Sequence, residues 1–234
     1  MEKNLDKSAK RISEMFDSIA GNYDRMNHDM SLGIDRRWRR KFIQSIAKSL
    51  TVESPVVLDL ACGTGDLTKA MAERGWQVTG LDISEEMMAV GKTKCGSLRP
   101  QPTFVSGSAE QIPFDDASFD VVTIAFGLRN FDHRAQCLAE IRRVLKPGGR
   151  LAVLEFAVPR NPLWRKLYLF YFKRSIRFAG RLIGHAGAYG YLVDSVLSFP
   201  RYESLCAEFT AAGFRDVHYT TYSGGIAAGY FSTN

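Results

Sequence analysis

Apolar and polar positions follow one dominant rhythm through the middle of this chain. Short apolar runs at 56–60 (VVLDL), 77–81, 103–105, 119–126 (FDVVTIAF) and 150–156 (RLAVLEF) read as strands. Between them lie stretches whose apolar residues recur every three or four positions, the spacing of one helix face, as in 134–145. Strands that are apolar almost throughout and alternate with helices imply a parallel sheet covered on both faces. Ser84 suits a helix N-cap, with Glu85 and Glu86 in the electropositive first turn, and KPGG (146–149) is a natural helix stop.

The rhythm breaks at both flanks. Residues 1–50 read as helices only: Phe16, Ile19 and Ala20 share a face, and after Gly33 a helix capped by Asp35 carries Trp38, Phe42 and Ile46 inward. Its basic residues Arg36, Arg37, Arg39, Arg40 and Lys41 are expected on the outer side. Residues 159–198 are aromatic and basic and read as an insertion. The alternation resumes with a helix at 200–212 and two strands, 214–222 and 226–232, turning at Gly224-Gly225 as an antiparallel pair at the sheet edge. The expected architecture is α/β: a doubly wound, mostly parallel seven-stranded sheet. It divides into a helical lid (1–50), a Rossmann-like core (51–158 and 199–234) and a helical insertion (159–198).

Charge sharpens this division. The net charge is +6, yet Phe156–Val193 contains seven basic residues and no acid, so the remainder carries −1. A local positive surface argues for an anionic partner, lipid headgroups or nucleic acid. On a wheel of about 100° per residue, Lys166, Lys173, Arg174, Arg177 and Arg181 fall on one arc, apart from Leu167, Tyr171, Phe178 and Leu182. Such a helix suits the face of an anionic membrane; a homodimer interface or a pocket wall fits the same pattern. No run approaches the length of a membrane span, and the charged N-terminus is no signal peptide. The four cysteines and four histidines are scattered, so thiols are expected reduced, no metal site is expected, and the chain reads as cytoplasmic, at the inner face of the membrane.

The strongest chemical signal is VLDLACGTGDLT (57–68), a strand, a glycine-rich turn and a helix start. Gly63 and Gly65 let backbone approach a ligand, and Asp82, ending the next strand, suits a pair of ribose hydroxyls. A pyrophosphate fingerprint needs a third glycine where Thr68 stands, and Asp66 would repel phosphate. S-adenosylmethionine has no phosphate and carries sulfonium and ammonium charges, so an acidic loop favours it over a dinucleotide. Asp59 and Asp66 are alternatively loop caps, worth roughly 1 kcal/mol each. Ser108, Ala109 and Glu110 end the third strand, where they border an adenine or form a surface turn.

With FDSIAGNYDRMNHDMSLGIDRRWR (16–39), GLDIS (80–84), SAEQIPFDDASFDVVTIAFGLRN (108–130), RVLKPGGRLAVLEF (143–156) and GGIAAGY (224–230), the chain resembles the quinone-pathway C-methyltransferases of UbiE/MenG type over nearly its whole length. That resemblance implies methyl transfer from S-adenosylmethionine to a ring carbon of a polyprenyl quinol: demethylmenaquinol, or the ubiquinone-pathway benzoquinol. It places Thr68, Asp82, Ile83, Ser108 and Ala109 at the cofactor, with Ala125 where some members have a contacting serine. It places Arg129 and Asn130 of FGLRN at the reacting methyl. Guanidinium is a poor base, so Arg129 is expected to stabilise a quinolate oxygen and orient a water; a structural ion pair with Asp132 is the alternative. Tyr23 and Asp24 are expected in a lid that excludes water, although Tyr23 also suits plain helix packing. Nucleic-acid methylation is disfavoured: no Asn-Pro-Pro-aromatic motif follows the fourth strand and no Pro-Cys dipeptide occurs.

Overall fold

The computed structural model describes residues 7–31, 33–182 and 186–234. Seven strands form one sheet: β1 (Val56–Leu60), β2 (Gln77–Asp82), β3 (Thr103–Ser106), β4 (Phe119–Ala125), β5 (Leu145–Phe156), β6 (Arg215–Tyr222) and β7 (Ala227–Thr233). Their order is β3-β2-β1-β4-β5-β7-β6. The first five are parallel, and β7 runs antiparallel between β5 and β6. The hairpin expected at the edge is therefore seated with its second strand inward. Chain direction across the sheet reverses at β1/β4, where open α/β sheets form a crevice at the carboxyl ends of their strands.

Alternation along β1 assigns its side chains to two cores. Leu58 and Leu60 join Ile124, Ile141, Phe209 and Tyr230 on one face. Val57 joins Trp38, Phe42, Met71, Val121 and Leu154 on the other. Asp59 falls on this second face, at the strand's carboxyl end, and is 1% exposed. A carboxyl at a core-facing strand position is desolvated by the fold itself.

The flanking helices are α1 (Ala9–Asp17), α2 (Tyr23–Ser31), α3 (Ile34–Ser49), α4 (Asp66–Ala72), α5 (Glu85–Cys95), α6 (Arg134–Val144), α7 (Pro162–Leu182), α8 (Ala186–Ser198) and α9 (Glu203–Ala211). Ser84 caps α5 as expected, accepting from the Met87 amide at 3.2 Å. The Asp35 cap is corrected: α3 starts at Ile34 after Gly33 at φ +73°, and Asp35 lies buried inside the first turn. Arg39 also moves from the outer side to the inner one. It shares the stripe of Asp35, Trp38, Phe42 and Ile46 and is 9% exposed. KPGG does follow the end of α6, but it lies within β5, which starts five residues before its expected bound and shifts register against β4 between Phe119 and Val121.

The lid and the insertion pack on each other. Ile19 from the lid joins Tyr168, Phe172, Val193 and Val196 from α7 and α8 in a third cluster, flanked by Phe16, Tyr23 and Phe156. The two segments that broke the sequence rhythm thus form one cover over the carboxyl ends of the strands.

Candidate active site

A cleft of about 1050 Å³, its open mouth included, lies beneath that cover. The lid contributes Lys7, Ile12, Phe16 and Tyr23 to its wall, α3 contributes Arg39, and β1 with its turn contributes Asp59 through Thr64. Asp82 and Ile83 close it behind β2, Ser108 and Ala109 behind β3, and Ala125, Phe126 and Asn130 behind β4. Ten of the thirteen residues singled out in the sequence therefore line one cavity: Tyr23, Asp59, Gly63, Asp66, Asp82, Ile83, Ser108, Ala109, Ala125 and Asn130. Gly65, Thr68 and Arg129 stand behind its wall.

The glycine turn is shaped by backbone that other residues resist. Gly63 and Gly65 take φ +54° and +74°, values glycine adopts without steric cost. Two non-glycine residues share the left-handed region: Ala61 at the end of β1 (φ +55°) and Phe126 at the end of β4 (φ +58°). Strain of this kind costs on the order of 1–3 kcal/mol per residue and persists where surrounding structure over-determines it. Gly127 is required between them, since a Cβ there would stand 2.7 Å from that of Ala61.

Asp59 does not cap the loop. Its carboxylate accepts from the Thr68 hydroxyl at 2.6 Å and the Thr123 hydroxyl at 2.8 Å, so Thr68 supports the wall from behind. Burial pushes Asp59 up to about 6, against these two hydrogen bonds. Asp82 accepts from the amides of Gly63 (2.7 Å) and Ser84 (2.9 Å). Burial outweighs these bonds and raises it as well. Asp66 is not a free negative charge. Burial would raise it, but Arg39 and Lys94 together hold it below the usual carboxylate range. Its oxygens lie 2.7 Å from Lys94 Nζ and 3.4 Å from Arg39 Nη2. His28, Asp35 and Asp66 bring ligand atoms within 4.8 Å of one another. The protein's own Arg39 supplies the cation there, paired to both carboxylates.

The lid is pinned at two points, to the glycine turn and to the start of α5. Asp24 accepts from the Thr64 hydroxyl at 2.5 Å and pairs with Lys94, while Asp17 accepts from the Ser84 hydroxyl at 2.5 Å. Tyr23 packs edge-on against Phe16 at 5.9 Å and also lines the cavity. Burial raises its phenol above the usual tyrosine range.

Arg129 pairs with Glu155, not Asp132. Its Nη1 donates to Glu155 Oε1 at 3.0 Å and to the Phe126 carbonyl, and its guanidinium stands 5.5 Å from the Phe156 ring centre. Both partners are buried, and Arg129 Nε has no acceptor. Asn130 faces the cavity, and Tyr191 of α8 donates to its Oδ1 at 3.1 Å. That bond leaves the amide NH₂ of Asn130 for the cavity. Sequence reasoning missed Arg39, Glu155, Tyr191 and Lys7. Arg39 was detectable, since 35, 38, 39, 42 and 46 are helix-face spacing; Glu155 was detectable as a lone acid in an apolar strand.

The residues present fit S-adenosylmethionine. Asp59 is a desolvated carboxyl facing a cleft, ready to meet a cation, and Arg39 Nε is a buried donor without an acceptor. A doubly wound sheet with an acidic glycine turn at its switch point and a ribose-type acid ending β2 defines the class of Rossmann-like methyltransferases. Within that class, the chain belongs to the ubiE/COQ5 methyltransferase family, whose model matches residues 4–234. It is 44% identical over 231 residues to the ubiquinone/menaquinone biosynthesis C-methyltransferase UbiE of Geobacter sulfurreducens, covering 97% of this chain and 89% of that one. It is 44% identical over 216 residues to the demethylmenaquinone methyltransferase of Chlorobaculum tepidum, covering 91% and 88%. A solved methyltransferase of Thermotoga maritima shares the fold with TM-score 0.64 at 18% identity, covering 94% of this chain and 98% of that one.

Proposed function

We propose that this enzyme transfers a methyl group from S-adenosylmethionine to a ring carbon of demethylmenaquinol, giving menaquinol. Family membership across residues 4–234 carries the reading, with relatives named for both quinone pathways. The cofactor supplies a methyl already activated on a sulfonium, so the protein's task is alignment and control of charge. Asn130, fixed by Tyr191, offers amide hydrogens toward the acceptor oxygen. Arg129, neutralised by Glu155 behind the wall, holds the turn that carries Asn130 through its bond to the Phe126 carbonyl. Tyr23 and the lid keep water from the reacting atoms.

The acceptor's isoprenoid tail gives the insertion its role. Leu163, Trp164, Leu167, Phe170 and Tyr171 of α7 are exposed, beside exposed Arg165, Lys166 and Arg174. This surface suits peripheral contact with an anionic bilayer; no helix among the described residues is long and apolar enough to cross one. The wheel positions Lys173, Arg177, Phe178, Arg181 and Leu182 lie outside the described side chains.

The direct test is a methyl-transfer assay with labelled S-adenosylmethionine under reducing conditions, offering demethylmenaquinol and the demethylated ubiquinol precursor separately. Turnover of the first is expected. Turnover of only the second reverses the substrate assignment, and turnover of neither, with cofactor binding intact, rejects it.

A further inference from the structure

The amino-acid end of S-adenosylmethionine carries a carboxylate as well as an ammonium, and the cleft has to receive both. Among the described residues lining it, two side chains are cationic, Lys7 and Arg39. Lys7 stands in the field of Arg129, Asp132, Arg134 and Glu155, on the side of the acceptor. Arg39 stands in a different place. It is paired with Asp66 at the glycine turn, its charge acts on Asp59 at the end of β1, and its guanidinium lies 5.5 Å from the Phe126 ring centre just past β4. With the nucleoside held at Asp82 and at Ser108–Ala109, behind β2 and β3, the amino-acid end falls across β1 and β4, beside Arg39.

The hydroxyls near this end are already committed. Thr64 donates to Asp24 and Thr68 to Asp59. Arg39 is different. Nη1 is held by Asp35 and Nη2 lies 3.4 Å from Asp66, while Nε is buried and has no acceptor. Asp35 and Asp66 thus fix the guanidinium plane and leave the Nε–H unused. A guanidinium N–H held in a fixed plane is a strong donor to a carboxylate.

We propose that Arg39 is the carboxylate anchor of the cofactor's amino-acid moiety, with Asp35 and Asp66 as the positioning residues that orient it. The proposal rests on the S-adenosylmethionine reading and assigns a binding role to a residue outside the glycine turn. It also gives the lid a function in cofactor recognition, since His28 of α2 contacts both Asp35 (2.9 Å) and Asp66 (3.7 Å).

Calorimetric binding of S-adenosylmethionine and of decarboxylated S-adenosylmethionine, with no quinol present, tests this directly. The two ligands differ only in the carboxylate. The wild-type chain should bind the intact cofactor at least tenfold more tightly. R39M should lose ten- to hundredfold in affinity for it and change little toward the decarboxylated ligand, so that the preference collapses. R39K keeps a cation against Asp35 and Asp66 but not the fixed Nε–H, and should retain part of the preference; it decides the matter where R39M does not fold. Equal losses for both ligands, or a preference that survives in both variants, overturn the proposal. A wild-type chain that binds neither ligand removes the cofactor reading itself, and the anchor with it.

Discussion

Asp59 is the residue whose chemistry most directly reports on ligand binding. Its carboxyl is raised to about 6 by burial, whereas an aspartate in the unfolded chain ionises near 4. Between these values the folded chain binds the proton more tightly. This group's contribution to stability is therefore present on the acid side and is lost as pH rises through about 4 to 6, amounting to about 3 kcal/mol for the full shift. Urea unfolding of the ligand-free protein should show that decline, and D59N should flatten it. Cationic cofactor groups favour the ionised form, so binding below about pH 6 should release a proton. Calorimetry in buffers of differing ionisation enthalpy reads this release, and D59N should abolish it; an unchanged proton count in the variant would count against the assignment. The buried Arg129–Glu155 pair sets a second expectation. Removing one partner of a buried pair costs about 3–5 kcal/mol, because the other charge is left uncompensated. E155L should show that loss in urea unfolding, while R129L/E155L should recover much of it and remain without methyl transfer. A double variant that keeps turnover places the guanidinium outside the chemistry.

At the scale of elements, the cover over the cleft acts through single contacts to the rigid sheet. Asp24 and Asp17 hold the lid to the Thr64 turn and to Ser84, and Tyr191 holds Asn130 from the insertion. Y191F removes one hydroxyl whose phenol is raised to about 12 by burial, so it remains a donor throughout the working range. The variant should lower kcat about tenfold and leave the cofactor's binding constant within twofold, since Tyr191 is not among the residues lining the cleft. Equal effects on both quantities would make Tyr191 a general support of the fold. These contacts also mark where sequence reading stopped. The strands, the glycine turn, Asp82 and the Ser84 cap follow from local pattern, because apolar periodicity and turn chemistry are local properties. The Arg129–Glu155 and Asp24–Thr64 partners lie 26 and 40 residues apart in sequence, and no local pattern joins them. Arg39 was misplaced for another reason. Five basic residues between 36 and 41 read as one solvated face, and only the stripe shared with Trp38 and Phe42 separates the inward one from the rest.

For the molecule as a whole, charge and exposed apolar surface coincide on α7. The segment 156–193 carries +7 on a chain whose remainder carries −1. Leu163, Leu167 and Phe170 are 79%, 57% and 66% exposed there. An apolar group of this extent in water favours transfer to a lipid surface, and basic side chains beside it add roughly 1 kcal/mol each at an anionic leaflet. The same helix supplies Tyr168 and Phe172 to the cluster beneath the cover, so one element connects the proposed bilayer face with the cleft. L167E/F170E should therefore lower binding to vesicles containing anionic lipid at least tenfold, and lower kcat/KM for a long-tailed quinol presented in those vesicles. Turnover of a short-tailed, water-soluble quinol should stay unchanged, because neither residue lines the cleft. Wild-type vesicle binding should also weaken with ionic strength as the headgroup attraction is screened. Vesicle binding that is equal in wild type and variant removes the bilayer from the account. A wild-type dimer that L167E/F170E converts to monomer in sedimentation assigns the face instead to a second copy of the chain.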